Sequence, residues 1–180
     1  VRATDGAGNI STTVTSDGVT ADLSGPVAGT IIDGTATDID WDNSTTTLAA
    51  TWSISSDSLS GVQGYEYAIG TTSGGTDLVD WTDILTDTVV TRSDLTLSNG
   101  TTYFTSVRST DNVGNVSSVI TSDGLTVDTV LPVMSAVAEG YDIDSTWADI
   151  DHQNIPDQLR VSWSGSDDAS GITIYEYALG

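Results

Sequence analysis

From Leu48 to Trp52 apolar side chains fall at every second position, Leu48, Ala50 and Trp52, and the same period returns at Leu159, Val161 and Trp163. A period of two places such residues on one face of a pleated strand. Tyr65, Tyr67 and Ile69 share a face in the same way, and Tyr103, Thr105, Val107 and Ser109 oppose Phe104, Ser106 and Arg108. Between Pro26 and Asp128 the pattern, broken by Gly, Asn, Asp and Ser clusters, predicts strands A (Val27–Ile32), B (Thr46–Ile54), C (Gly64–Ile69), C′ (Leu78–Thr82), E (Thr88–Leu97), F (Thr101–Thr110) and G (Ser118–Asp128). No window sustains a helical period, so the chain reads as all-β.

The pattern also repeats at long range. Val1–Asn9 (VRATDGAGN) returns as Val107–Asn115 (VRSTDNVGN), 106 positions on, and the match continues from Thr15–Gly18 to Thr121–Gly124 and from Pro26 to Pro132. Ser60-Gly61 and Tyr65–Ala68 return as Ser170-Gly171 and Tyr175–Ala178, and Asp38–Asn43 returns as Asp149–Asn154. A spacing this long exceeds a solenoid repeat and fits an immunoglobulin-type domain of about 100 residues. The boundaries expected are the tail of one unit (1–25), one whole unit (26–131) and the front of a third (132–180). The chain begins in mid-pattern and reads as a piece of something longer.

The stretch Leu97, Gly100, Tyr103, Val107 and Arg108, in the order L-x-x-G-x-x-Y-x-x-x-V-R, resembles the E–F corner and F strand of fibronectin type III domains. Asp111–Asn115 resembles the D-x-x-G-N turn of that family's bacterial surface-protein members. The resemblance implies a seven-stranded antiparallel β-sandwich, immunoglobulin-like and in tandem, with a tyrosine corner in which the Tyr103 hydroxyl returns to backbone upstream. It also implies that the A–B loop of one unit faces the B–C and F–G loops of the next.

Composition narrows the function. With 26 acidic against 4 basic residues, all Arg, the formal net charge is −22. That sign excludes nucleic acid as an expected partner and disfavours anionic membrane surfaces. No apolar run approaches ~18 residues, so no membrane insertion is expected. Cys is absent, which removes thiol chemistry and disulfides. His152 is the sole His and stands where the middle unit has Trp41, and no G-x-S-x-G elbow is present, so no nucleophilic triad can be assembled. The chain is therefore expected not to be an enzyme.

The acids fall at the implied junctions. Before the middle unit these are Asp22, Asp57, Asp111 and Asn115; after it, Asp33, Asp38, Asp40, Asp42, Asp128, Asp167 and Asp168. Converging carboxylates and amide oxygens are hard ligands suited to Ca²⁺ rather than zinc or copper. The site residues expected on this reading are Asp38, Asp40, Asp57, Asp111, Asn115, Asp128 and Asp167. The competing reading is local, with Asp111 and Asn115 bonding their own turn and Asp57 tying down its loop. Trp52 and Trp163, mid-strand on the apolar face, read as core, while Trp41, Trp81 and Trp147 are candidates for stacking on sugars. The function expected is a structural or adhesive stalk or fibre segment of a large, secreted bacterial cell-surface protein. Its partners would be adjacent repeats, other copies in a fibre, or surface glycans or proteins. A carbohydrate- or protein-binding module, or accessory repeats of a secreted hydrolase, are the alternatives.

Overall fold

A computed structural model describes residues 1–143, 146–149 and 160–178, with side chains outside 140–149. His152 and the Asp149–Asn154 string fall wholly or mostly outside these residues, as does the Trp147 side chain. The described residues contain strands and turns and no helix.

Residues 26–128 form a sandwich of the fibronectin type III/immunoglobulin-like kind. One sheet has three strands in the order β1 (Ile31–Asp33), β3 (Leu48–Trp52) and β6 (Val89–Arg92), all antiparallel. The facing sheet runs β2 (Trp41–Asp42), β9 (Leu125–Val127), β7 (Thr102–Asp111), β4 (Val62–Gly70), β5 (Val79–Leu85), with β8 (Ile120–Thr121) also paired to β7. The alternation read from sequence places its apolar face between the sheets. Leu48, Ala50 and Trp52 of β3 and Tyr65, Tyr67 and Ile69 of β4 are all buried, together with Tyr103, Val107, Leu125 and Val127. Trp52, 3% exposed, meets the Tyr65 ring at 5.9 Å between centroids, tilted by 60°. The Tyr103 hydroxyl accepts the Ser98 N–H at 2.9 Å, closing the corner that the resemblance implies.

Strand B keeps Leu48–Trp52 of the expected Thr46–Ile54, and strands A, E and G are shortened or broken, each for a local reason. Strand A is reduced to β1 and one isolated bridge, Val27 to Ser56, because the Thr30 N–H turns to the Ser53 hydroxyl at 2.8 Å. Strand E stops at Arg92; Asp94 has a positive φ of 62°, and beyond it Leu95 and Leu97 return to the carbonyls of Thr46 and Thr45. Strand G divides into β8 and β9. The Thr105 N–H donates to the Ser122 hydroxyl at 3.0 Å instead of a ladder carbonyl, and Gly124 follows at φ 105°. The break lets β9 pair with β7 on one side and, in parallel, with β2 on the other.

On either side lie segments that repeat parts of its sequence. Residues 1–14 form a hairpin bridged at Thr4 and Ile10, matching the bridge of Thr110 with Val116 in the middle unit. At the other end β10 (Val133–Ile143) pairs antiparallel with β11 (Thr146–Asp149) and with β12 (Val161–Ser166). In this half-sandwich Trp163 is 40% exposed, against 3% for its counterpart Trp52.

Candidate functional site

The D-x-x-G-N turn builds itself around its first carboxylate. Asp111 Oδ1 accepts the N–H groups of Val113 (2.9 Å) and Asn115 (2.8 Å), and Oδ2 accepts Asn115 Nδ2 at 2.8 Å. Asp5 repeats this arrangement with Ala7 and Asn9 at 3.0, 2.8 and 2.8 Å. Burial pushes the Asp111 carboxyl up, but the bonds from the Asn115 side chain and from the Asn115 and Val113 backbone outweigh it and hold it below the usual carboxylate range. Asp111 is thus a buried, ionised turn-former. The B–C loop uses the same device: Asp57 Oδ1 accepts the N–H groups of Leu59, Ser60 and Gly61 at 3.1, 2.8 and 2.7 Å. Asp167, its repeat, accepts those of Ala169 and Gly171 at 3.3 and 2.7 Å.

Each such loop is met by the linker Asp of the unit before it. Asp22 Oδ2 accepts the Ser60 N–H at 3.1 Å, and Asp128 Oδ2 accepts the Ser170 N–H at 3.0 Å. The remaining oxygen bonds within the linker, Asp22 Oδ1 with Ser24 N–H at 3.2 Å and Asp128 Oδ1 with Val130 N–H at 3.0 Å. Hydrogen bonds from Ser60 and Ser170 respectively are the main cause holding the Asp22 and Asp128 carboxyls below their ordinary value. Asn115 Nδ2 also reaches the carbonyls of Asp22 and Ser24 at 3.3 Å, so the F–G turn joins the first joint.

Two carboxylate groups result, Asp22–Asp57–Asp111 and Asp128–Asp167–Asp168, each offering oxygens within 4.8 Å of one another. Oxygens this close together are near enough for a hard cation with metal–oxygen bonds of about 2.3–2.6 Å to bridge carboxylates of one group. The donors are all oxygen, with no His or thiol among them, which suits a hard cation. Several of their lone pairs are already committed to backbone N–H groups, as the local reading requires.

Asp38 and Asp40, expected beside Asp128, are not brought to it. Asp38 joins Asp33 and Asp123 in a separate group near the break in strand G, and its Oδ1 accepts the Asp33 N–H at 3.0 Å. Asp40 contributes its backbone: its carbonyl accepts the Thr126 N–H at 2.8 Å, and that of Asp42 accepts the Asp128 N–H at 2.9 Å. The physical reason is the short parallel pairing of β2 with β9, which folds the A–B loop along the sheet edge instead of past the pole. Asp123 was missed in the sequence; its only signal was the S-D-G string shared with residues 16–18.

Asp33 is the most perturbed acid. It is 2% exposed, accepts the Gly124 N–H at 3.0 Å, and is pushed up to about 6, chiefly by burial, with Asp123 and Asp38 adding repulsion. It stabilises the turn as an acceptor while resisting ionisation.

Trp41 and Trp81, the sugar-stacking candidates whose side chains are described, do not share a platform. Trp41 lies on β2 and Trp81 on β5, the opposite edges of one sheet, and the Arg108 guanidinium lies 4.3 Å from the Trp81 ring centre. Arg108 is held there by Glu66 at 2.8 Å.

No protein-family model matches the chain, and no curated protein matches it. Among solved structures the chain is similar to the chicken CNTN1 FN1–FN3 domains, with 16% sequence identity and a TM-score of 0.41. The match covers 78% of this chain and 52% of that one, so the chain spans about half the length of that structure.

Proposed function

We propose that the chain is a load-bearing or adhesive segment of an extracellular, bacterial cell-surface protein. In this reading it is a run of tandem fibronectin type III-like units of about 106 residues that holds another part of the protein away from the cell, and its first partners are the neighbouring repeats of its own polypeptide. The observation that carries the reading is the joint itself. The same linker carboxylate accepts the same B–C loop N–H at two successive positions, Asp22 with Ser60 and Asp128 with Ser170. A contact rebuilt at each junction gives successive units one orientation, which a spacer needs and a catalytic domain does not. Around each contact three carboxylates meet with a chain charge of −22 behind them. A shared Ca²⁺ would turn their mutual repulsion into a bridge.

The test is small-angle scattering and calorimetry on the full chain at fixed ionic strength. Binding in the ~10⁻⁴–10⁻³ M range typical of extracellular modules is expected, with a more extended and less flexible particle that relaxes on chelation. Asp57→Asn and Asp167→Asn should weaken the response, and Asp40→Asn, away from both groups, should leave it unchanged. Identical scattering with and without chelator, and no heat of binding, would overturn the calcium part of the reading.

A further inference from the structure

The middle unit grips its outgoing chain from two sides. On one side the carbonyls of Asp40 and Asp42 accept the N–H groups of Thr126 and Asp128 at 2.8 and 2.9 Å. On the other stands the corner that precedes β7. There the Thr101 carbonyl accepts the Val127 N–H at 3.1 Å, and the Gly100 N–H donates to the Val127 carbonyl at 2.7 Å. Beyond the end of β9 the corner reaches further, and with a side chain. Asn99 Oδ1 accepts both the N–H and the hydroxyl of Thr129, at 2.7 and 3.0 Å. Thr129 follows Asp128, whose two oxygens accept the N–H groups of Val130 and Ser170 at 3.0 Å each.

The corner that holds the linker is itself anchored in the core. Leu97 and Tyr103 are buried, the Leu97 N–H donates to the Thr45 carbonyl at 2.9 Å, and the Tyr103 hydroxyl accepts the Ser98 N–H. Gly100, at φ 73°, lets the chain double back between them, so that its N–H and the Asn99 side chain both meet residues 127–129. An Asn in a turn ordinarily directs its side-chain oxygen to its own loop. Here the oxygen serves a residue 30 positions away. Its orientation is fixed, because a backbone N–H donates to an amide oxygen and not to the amide nitrogen. A path of hydrogen bonds therefore runs from Tyr103 through Ser98–Gly100 to Thr129, and from its chain neighbour Asp128 to Ser170.

We infer that Asn99 is the positioning residue of the joint: by holding Thr129 it fixes the direction in which the chain leaves the sandwich, and so aims the Asp128 carboxylate at the B–C loop that follows. Asp128 and Thr129 lie where the ladder has ended, and rotation about the backbone of either would carry the carboxylate and the Ser170 N–H apart. Two donors of Thr129 on one acceptor remove that freedom from the free linker. The conformational entropy is then lost when the sandwich folds rather than when the next loop docks, which is the physical meaning of a preorganised contact. The E–F corner thus has a second task besides closing the sandwich. The inference rests on the joint reading above and deepens it, and calcium has no part in it.

Pulsed electron spin resonance on the 180-residue chain tests it, in chelator at about 0.15 M salt, where screening shortens the reach of the shared negative charge to ~8 Å. The sequence has no Cys, so Thr91→Cys on β6 and Ser166→Cys at the end of β12, both exposed, take one spin label each in every chain compared. The otherwise unchanged chain should give one narrow distance distribution, and Asp128→Ala, which removes the contact with Ser170, sets the width of an undirected joint. Asn99→Ala should broaden the distribution at least about twofold, toward that of Asp128→Ala. Asn99→Asp, which keeps an oxygen for Thr129, should stay narrow. Thr129→Ala loses the hydroxyl bond without touching the corner and should fall between, so the test stands even where Asn99→Ala disturbs the sandwich. A joint left narrow by both Asn99→Ala and Thr129→Ala overturns the inference and leaves the joint reading standing. So does an Asn99→Asp chain as broad as Asn99→Ala. An Asp128→Ala chain no broader than the parent overturns the joint reading, and this inference with it.

Discussion

Replacing Asp33 by Asn should stabilise the sandwich at neutral pH, against the ordinary expectation for a buried, hydrogen-bonded acid. The carboxyl is 2% exposed and is held at about 6 rather than 3.8, with Asp38 and Asp123 beside it. A group raised in the folded state binds more protons there than in the unfolded chain between these two values, so its contribution is greatest below pH 3.8 and falls as pH rises through 6. At neutral pH the cost is on the order of 3 kcal/mol. Asn keeps an amide oxygen for the Gly124 N–H and presents an N–H₂ to the neighbouring carboxylates, so it removes the charge without orphaning the turn. Urea unfolding of wild type and Asp33→Asn, followed by far-UV circular dichroism in chelator from pH 4 to 7.5, reads the difference directly. The variant should gain about 2–3 kcal/mol at pH 7, with the gain shrinking toward zero near pH 4. Asp22, Asp111 and Asp128 act in the opposite sense, since their lowered values give stability that is present above 3.8 and lost on further acidification. Wild type should therefore be most stable at mildly acidic pH, and the variant should hold a plateau toward neutrality. A variant that is less stable at pH 7, or whose difference from wild type does not change with pH, refutes the reasoning.

Trp52→Ala should cost roughly 3–5 kcal/mol, since it empties the space beside Tyr65, whereas Tyr103→Phe should cost about 1 kcal/mol, the loss of one acceptor for the Ser98 N–H; chemical denaturation separates the two. Gly124→Ala should destabilise by about 1–3 kcal/mol, because φ is 105° and an added Cβ would stand 2.7 Å from Phe104 Cε1 and 2.8 Å from Thr102 Cγ2; a thermal midpoint unchanged from wild type would mean that the break in strand G is not built as described.

The fold was legible where burial follows the strand period. Leu48, Ala50, Trp52, Tyr65, Tyr67 and Ile69 each announced the inner face because these apolar side chains fall at every second position, with only Ala49, Thr51, Glu66 and Ala68 between them. Legibility failed where a side chain replaced a backbone group. Ser122 stands in for a ladder carbonyl and Ser53 for another, and a hydroxyl doing so looks in sequence like any strand Ser or Thr. The joints were half legible for a related reason. Asp22, Asp57 and Asp111 come together at positions the repeat fixes: Asp111 ends β7, Asp57 opens the loop that leads to β4, and Asp22 lies in the linker. Asp38 and Asp40 sit in a long loop, whose course depends on the two-residue pairing of β2 with β9, and no periodicity reports that pairing.

The two contacts of an Asp with a downstream loop are alike although the loops differ in sequence. The linker carboxylate accepts the backbone N–H of a Ser at both joints, Ser60 and Ser170, and the side chains of these two residues also help hold the carboxyl below its ordinary value, so the contact draws on the side chain at the receiving position as well as on its N–H. The rest of the specificity lies in the loop shape that presents the N–H, and that shape is set by the Asp at the loop's start, Asp57 or Asp167, which gathers the following amides onto one oxygen. Two Asp residues, one in the linker and one opening the B–C loop, recur with the receiving Ser at both junctions, while Ser58-Leu59 is replaced by Asp168-Ala169. The same economy contributes to the charge: building the D-x-x-G-N turns, the B–C loops and the joints on carboxylates accumulates acid with each repeat. A chain with four Arg and no Lys has few cations of its own with which to balance it.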